Sequence, residues 1–472
     1  MLKRKDYLKY GEEINRWIQS YFDRLEGLPV KSPVKPGSIS NQLPDFAPED
    51  GQHMEDIISD LEEIILPGIT HWQHPNFHAY FPANSSVESV LAETVTSAIG
   101  AQCMIWDTSP AAAELEEKMM QWLIHALGLP KSWQGVIQDT ASTATLVAVL
   151  SARERATGFN SNFRGVPPGL RVYCSADTHS SIDKAVAISG IGRNNLVKIP
   201  STDKGGLDLG ALEEAMDADK QNGLTPCCVI ATMGTTGSLL FDPLEDMGRL
   251  CQKHGVWYHI DAAFAGIALL MPEFRHLGIG VELADSFVVN PHKWMFTNFD
   301  CTAYFVKDKD VLLKTFEIMP EYLKTQNRGQ VNDYRDWGIQ LGRRFRALKL
   351  WFVMRSYGMR GIKEVLRGHV KLTQYFADSL SKMPDLEVVT QSELNLCTFR
   401  LNPSEKQWSM EELNKVNESF LVAINKSGKA YLTHTKIGEI YVIRVVIGQT
   451  YVDKTHVNCL LSTIEACRRE FV

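Results

Sequence analysis

No run of the 472 residues is both long enough and free enough of charge to cross a bilayer, and the N-terminus, MLKRKDYLKYGEE, lacks the apolar core of a secretory signal. These absences predict a cytoplasmic protein without membrane association. Cysteine is sparse for a disulfide scaffold. The nine thiols, Cys103, Cys174, Cys227, Cys228, Cys251, Cys301, Cys397, Cys459 and Cys467, include one adjacent pair and show no metal-ligand spacing, so reduced, mostly buried side chains and no bound metal are expected. A basic excess is missing too: 49 Lys and Arg face 56 Asp and Glu, a formal charge of −7, with both signs mixed along the chain. That balance argues against nucleic acid and for a small ligand. No internal repeat or low-complexity tract interrupts what is otherwise an ordinary globular composition, 44% hydrophobic and 22% charged.

A chain of this length exceeds one hydrophobic core, so two or more domains are expected. Tyr7, Tyr10, Ile14, Trp17, Ile18, Tyr21 and Leu25 recur at helical spacing before PVKSPVKPGS breaks the pattern, and a second amphipathic stretch carries Met54, Ile57, Ile58, Leu61 and Ile65. A helix on a Pro-rich tether has no core of its own and is expected to pack on another surface, such as a second subunit. From about residue 134, the apolar runs GVIQ, RVYCSA, CCVIATMG, VWYHIDAAF and DSFVVN alternate with helical patterns. That alternation predicts an α/β fold with a mostly parallel sheet, which binds ligands beyond the carboxyl ends of its strands. After about residue 370 the pattern becomes a smaller α+β unit with a hairpin near KIGE.

The candidate chemistry lies at those strand ends. In QDTASTATL, Thr140, Ala141, Ser142 and Thr143 stand where a helix would begin, and free N–H groups there suit a phosphate, with ordinary N-capping as the alternative. Asp261 ends the strand of WYHIDAAFAG, where a buried carboxylate needs a cation such as a protonated ring nitrogen, and Ala263 leaves room for a flat ring. His179 lies where a strand hands over to a helix and is able to stack on such a ring. In FVVNPHKWM, Lys293 is either a surface lysine with its head in water or a desolvated amine able to attack a carbonyl. Together, a phosphate cradle, a carboxylate, a stacking imidazole and a nucleophilic amine describe a pocket for pyridoxal phosphate.

HPNFHAYFPA, IWDTSPAAAELEE, TASTATLVAVLSAR, DTHSSIDKA, ATMGTTG, HIDAAFAG, NPHKW, NFDC and DYRDWGIQLGRRFRALKLWFV occur in order. Over nearly its whole length the sequence resembles the group II pyridoxal-phosphate decarboxylases, and within them the aromatic L-amino acid decarboxylases. The resemblance implies fold type I with three parts: an N-terminal helical segment, residues 1–85, swapped between subunits; a large cofactor domain, residues 86–370; and a small C-terminal domain, residues 371–472. It implies an obligate homodimer with active sites at the interface. It also implies that Lys293 binds the cofactor aldehyde covalently, that Asp261 pairs with the ring nitrogen, and that His179 and Ala263 cover the two ring faces. Ala141, Ser142, Asn290 and His292 would hold the phosphate, and Thr236 would bond near the ring hydroxyl or the carboxylate network. Trp72, Tyr80, Phe81 and Pro82 would line the substrate pocket, with Gln102 and Met104 reaching the partner's pocket.

The stretch MPEYLKTQNRGQVNDYRDW reads as a long mobile loop, and the resemblance places a proton donor on it at Tyr334. Two departures bear on the substrate. Ala83 and Asn84 follow the Pro of HAYFP where animal aromatic decarboxylases have Thr, which puts the hold on the substrate carboxylate in doubt. Gln102 and Met104 replace bulkier apolar groups. Decarboxylation of tryptophan, tyrosine, phenylalanine or dihydroxyphenylalanine is therefore the expected function. The rivals are a histidine or glutamate decarboxylase, an aromatic aldehyde synthase, against which Tyr334 argues, and a non-catalytic binding protein on the same scaffold.

Overall fold

The apolar runs that alternate with helices become the strands of one sheet. The structure is a computed structural model that describes residues 2–202, 205–318, 327 and 329–471. The chain divides into two units, one of Ala83–Lys371 with Ser392–Leu396, the other of Met1–Pro82 with Leu372–Gln391 and Cys397–Val472. The first holds seven strands: β1 (Gln134–Gln138), β2 (Leu170–Ser175), β3 (Leu196–Ile199), β4 (Thr225–Thr232), β5 (Trp257–Asp261), β6 (Ser286–Val289) and β7 (Thr302–Val306), in the order β1-β7-β6-β5-β4-β2-β3.

Pairing is parallel from β3 through β2, β4 and β5 to β6, while β7 runs antiparallel to both β6 and β1. The carboxyl ends of β1, β2, β4, β5 and β6 therefore share one edge of the sheet. Every residue of β5 and β6 is buried, because helices cover both faces and leave no solvated side to alternate with. The Ala141–Ala156 helix packs on this sheet through Ala144, Val147, Ala148 and Ala152, small residues that let its axis approach Val136, Ile230 and Val288 closely.

In the second unit, β8 (Leu386–Gln391) pairs antiparallel with β9 (Leu396–Leu401), and β10 (Thr433–Ile437) with β11 (Ile440–Val446). Ile437 faces Ile440 across the two-residue turn Gly438-Glu439, where Gly438 takes φ +56°, so the hairpin signalled by KIGE is present. The N-terminal segment joins this same unit. Val30 donates its N–H to the Gly428 carbonyl, His78 to that of Tyr431, and Val446 to that of His78, while Val30, Phe77 and Ala79 form a small buried cluster against Tyr431. Pairings across some 350–400 residues leave no trace in local periodicity. The Tyr7–Arg24 helix itself buries no residue, although its stripe is amphipathic.

Candidate active site

The β6 strand ends in Val289, and Asn290 then caps a four-residue helix, Pro291–Trp294, that carries Lys293. Trp294 is fully buried, stacks on Phe264 with ring centroids 5.1 Å apart, and donates its indole N–H to His369 Nδ1 at 3.0 Å. A buried aromatic of this size carries about 3–5 kcal/mol of stability. This packing holds the turn, so the lysine beside it inherits a defined position. Lys293 is half-buried as a residue. Desolvation lowers its pKa below that of a free ammonium, while the charge of Asp261 opposes the shift.

Asp261 closes β5. Its Oδ1 accepts the N–H of Ala263 at 3.0 Å, and the Ala263 carbonyl accepts the N–H of Asn290 at 2.9 Å. Two bonds thus tie the carboxylate's loop to the lysine's turn. His179 follows β2, with Nδ1 2.9 Å from the Ser181 hydroxyl. Burial of part of its ring lowers its pKa, with Asp261 raising it and Lys293 lowering it further. His179, Asp261 and Lys293 thus lie at the ends of β2, β5 and β6, on the sheet's carboxyl edge, near enough for Asp261 and Lys293 to act on the His179 ring. Thr236 lies in the turn after β4, on that same edge.

Thr140 caps the Ala141–Ala156 helix, its Oγ1 accepting the Thr143 N–H at 3.4 Å. The amides of Ala141 and Ser142 precede the first intrahelical donor and face outward. Across from them Asn290 and His292 are 2% and 3% exposed. Thr302 Oγ1 lies 2.9 Å from Asn290 Oδ1 and 3.1 Å from the Asp139 carbonyl, linking the lysine's turn to the helix start. His292 Nδ1 accepts the Cys301 N–H at 3.0 Å, and burial pushes its pKa down to about 3, so the ring is neutral. The donor set fits a phosphate, and the carboxylate, alanine, imidazole and desolvated amine fit a planar heterocyclic aldehyde. Pyridoxal phosphate would thus be held by Ala141, Ser142, Asn290 and His292 at one end and by Asp261, Ala263, His179 and Lys293 around its ring.

The remaining candidates divide between the two units. Trp72, Tyr80, Phe81 and Pro82 belong to the second unit. There Trp72 stacks on Tyr80 at 5.7 Å and the Arg444 guanidinium lies 5.4 Å over the Phe81 ring. Arg444 is 3% exposed, and burial pushes its pKa down to about 10. Its position in IYVIRVV looks like ordinary strand alternation, so no sequence signal marks it. In the first unit Gln102 Oε1 accepts the Arg343 N–H at 2.8 Å, and the Met104 carbonyl accepts the Arg335 N–H at 3.0 Å.

Tyr334 takes a buried position here, not that of an exposed loop tyrosine. It is 3% exposed, meets Trp337 edge to face at 5.3 Å, and lies under the Arg343 guanidinium at 5.0 Å. Arg343 is itself held by Glu116 at 2.6 Å and by the Ile137 carbonyl at 2.7 Å. The phenol borders a cavity of about 530 Å³ shared with Trp133, Gln134 and Gly135 at the start of β1. The phosphate cradle follows the other end of that strand, about 13 Å away at the usual rise per residue. Residues 319–326 and 328 of the same stretch lie outside the described residues.

Residues 36–402 match the pyridoxal-dependent decarboxylase conserved domain. The chain is 41% identical over 469 residues to the aromatic-L-amino-acid decarboxylase of Mus musculus, covering 96% of this chain and 95% of that one. It is 40% identical over 440 residues to the phenylacetaldehyde synthase of Arabidopsis thaliana, with 91% and 89% covered. The crystal structure of Oryza sativa TDC with PLP and tryptamine superposes with a TM-score of 0.96 at 35% identity, covering 99% of each chain. The chain belongs to the pyridoxal-dependent decarboxylase family.

Proposed function

We propose that this protein decarboxylates an aromatic L-amino acid to the arylalkylamine and carbon dioxide, using pyridoxal phosphate, as a cytoplasmic homodimer with active sites at the subunit interface. Lys293 on the turn after β6, tied through Asn290 and Ala263 to Asp261 at the end of β5 on the carboxyl edge of the sheet, carries the proposal. Pyridoxal phosphate, when bound, supplies an aldehyde for that amine and a ring that takes up the electron pair left at the substrate α-carbon. Asp261 keeps a proton on the ring nitrogen, His179 and Ala263 hold the ring flat, and the helix start with Asn290 and His292 anchors the phosphate. Thr236 bonds near the ring hydroxyl.

Trp72, Tyr80, Phe81 and Pro82 are the proposed aryl-binding residues, together with Gln102 and Met104. The homodimer draws support from apolar surface that a single chain leaves open. The Val87–Ile99 helix exposes Val87 at 46%, Leu91 at 56%, Val95 at 41% and Ile99 at 59%, a ridge at four-residue spacing, and Tyr7 and Leu8 stand 64% and 70% exposed. Among the described residues no helix is long and apolar enough to cross a membrane.

An aldehyde synthase is the second reading, favoured by the burial of Tyr334, since that tyrosine no longer counts as a lid-borne acid against it. Incubating the cofactor-loaded protein with each common amino acid, and following amine, aldehyde, carbon dioxide and dioxygen, tests both. Amine with stoichiometric carbon dioxide from aromatic substrates supports decarboxylation. Aldehyde with dioxygen consumption overturns it, and amine from histidine alone would move the substrate class.

Tyr334→Phe is expected to keep amine as the product with turnover within about threefold of wild type, because the ring keeps its packing on Trp337 and only a hydroxyl that meets Asn332 is lost, at about 1 kcal/mol. Tyr322, the other tyrosine of the stretch, lies outside the described residues. Product analysis of both Phe variants decides which phenol, if either, returns the proton. Aldehyde from Tyr334→Phe would show that this side chain leaves its core position during turnover.

A further inference from the structure

We infer that Asn84 is a positioning residue for Lys293, holding the lysine's main chain so that its amine faces Asp261; the inference rests on Lys293 being the cofactor-binding amine. The Pro291–Trp294 helix is only one turn long, so its last carbonyls have no intrahelical partners. Asn84 meets one of them, its Nδ2 donating to the Lys293 carbonyl at 2.7 Å across 209 residues. Asn84 is fully buried, so an unanswered carbonyl there would find no water in exchange.

A second contact comes from the same segment. Ser86 and Ser89 form the capping box that opens the Val87–Ile99 helix, and Ser89 Oγ also accepts the Asn298 N–H at 3.2 Å. Between the two anchored points Met295, Phe296 and Thr297 are fully buried, and Phe296 takes φ +55°, a left-handed conformation that a bulky side chain adopts only when its surroundings impose it. Residues 84–89 thus grip the chain at Lys293 and again at Asn298. On the other side Asn290 is held by the Ala263 carbonyl. The lysine's turn is clamped between the carboxylate's loop and this helix entrance. A catalytic amine gains from such preorganisation, because a misplacement of about 1 Å costs on the order of a hundredfold in rate.

The test strips the full-length protein of cofactor and follows the visible absorption of bound pyridoxal phosphate on its return. Asn84→Leu keeps the volume and removes the donor. It is expected to slow uptake about tenfold and lower kcat about tenfold, leaving KM within about twofold. Uptake and kcat equal to wild type would overturn the inference. Asn84→Asp gives a separate readout if the leucine variant does not fold. A buried carboxyl is protonated more readily than a free one, and only its acid form donates to the Lys293 carbonyl. The uptake rate relative to wild type is therefore expected to rise as pH falls from about 8 to about 6. A ratio flat with pH would refute the hydrogen-bond role even if both rates were low, since a packing defect has no reason to titrate. Wild-type protein that takes up no pyridoxal phosphate would remove the functional proposal and this inference with it. Wild-type uptake and turnover with unaffected Asn84 variants would remove this inference alone.

Discussion

Lys293→Ala is expected to abolish the visible absorption of bound cofactor and to lower amine production by roughly a thousandfold or more, without loss of the folded state. The two halves of that expectation have one cause. The lysine's pKa is lowered because burial leaves its charged form poorly solvated, an effect that the charge of Asp261 opposes. A group held in that condition contributes little to stability, and deleting it relieves a desolvation cost even as it leaves a small cavity. Thermal unfolding of the cofactor-free variant within a few degrees of wild type, together with an absorption titration, checks both. A variant that still develops the absorption band and turns over would mean that another amine does the work. Among the described residues Lys349 is also shielded from water, at 1% exposed, but it lies 3.0 Å from Glu93 and is committed to that ion pair.

Asp261→Asn has the second largest expected effect and separates binding from chemistry. The amide keeps an oxygen for the Ala263 N–H, so the loop should hold, while the negative charge is gone. Asp261 raises the pKa of Lys293, and it does the same to His179. Without it the lysine stays neutral to a lower pH, and the pH profile of cofactor uptake is expected to move toward acid. Uptake therefore survives. Turnover does not, because nothing keeps the ring nitrogen protonated, and a loss of about a thousandfold in kcat is expected, comparable with removal of a principal electrostatic group from other active sites. A kcat within about tenfold of wild type would show that the ring nitrogen has no need of this carboxylate. An uptake profile moved toward alkaline pH would contradict the charge coupling seen in the structure.

The positions of Lys293, Asp261 and His179 were legible because each follows an apolar run, and in a parallel sheet the residue after such a run lies on the ligand-binding edge. Ala141 and Ser142 were legible for the same reason, with Thr140 as a visible cap. Tyr334 misled. DYRDW is polar and follows a Gly-containing stretch, so it looks like surface, yet Trp337 and Arg343 close over the ring and Glu116, more than 200 residues earlier, neutralises the arginine. Buried charge that is paired at long range cannot be told from exposed charge by composition. Asn84 escaped for a similar reason. In the sequence it stands only as a departure that bears on the substrate carboxylate, and only the folded chain brings it to the Lys293 carbonyl.

Short-range physics therefore wrote the strand-helix alternation, the helix start that suits a phosphate, the hairpin at Gly438 and the placement of Lys293, Asp261 and His179 just beyond strand ends, since each depends on neighbours a few residues away. The folded chain alone settled that Val30 and the segment around Phe77 and His78 build onto the C-terminal part of the chain, that Tyr334 is buried, and that Asn84 and Ser89 grip the turn bearing Lys293. Those outcomes depend on hydrogen bonds and ion pairs between residues hundreds of positions apart, whose partners are chosen by packing and leave no periodic mark on the chain.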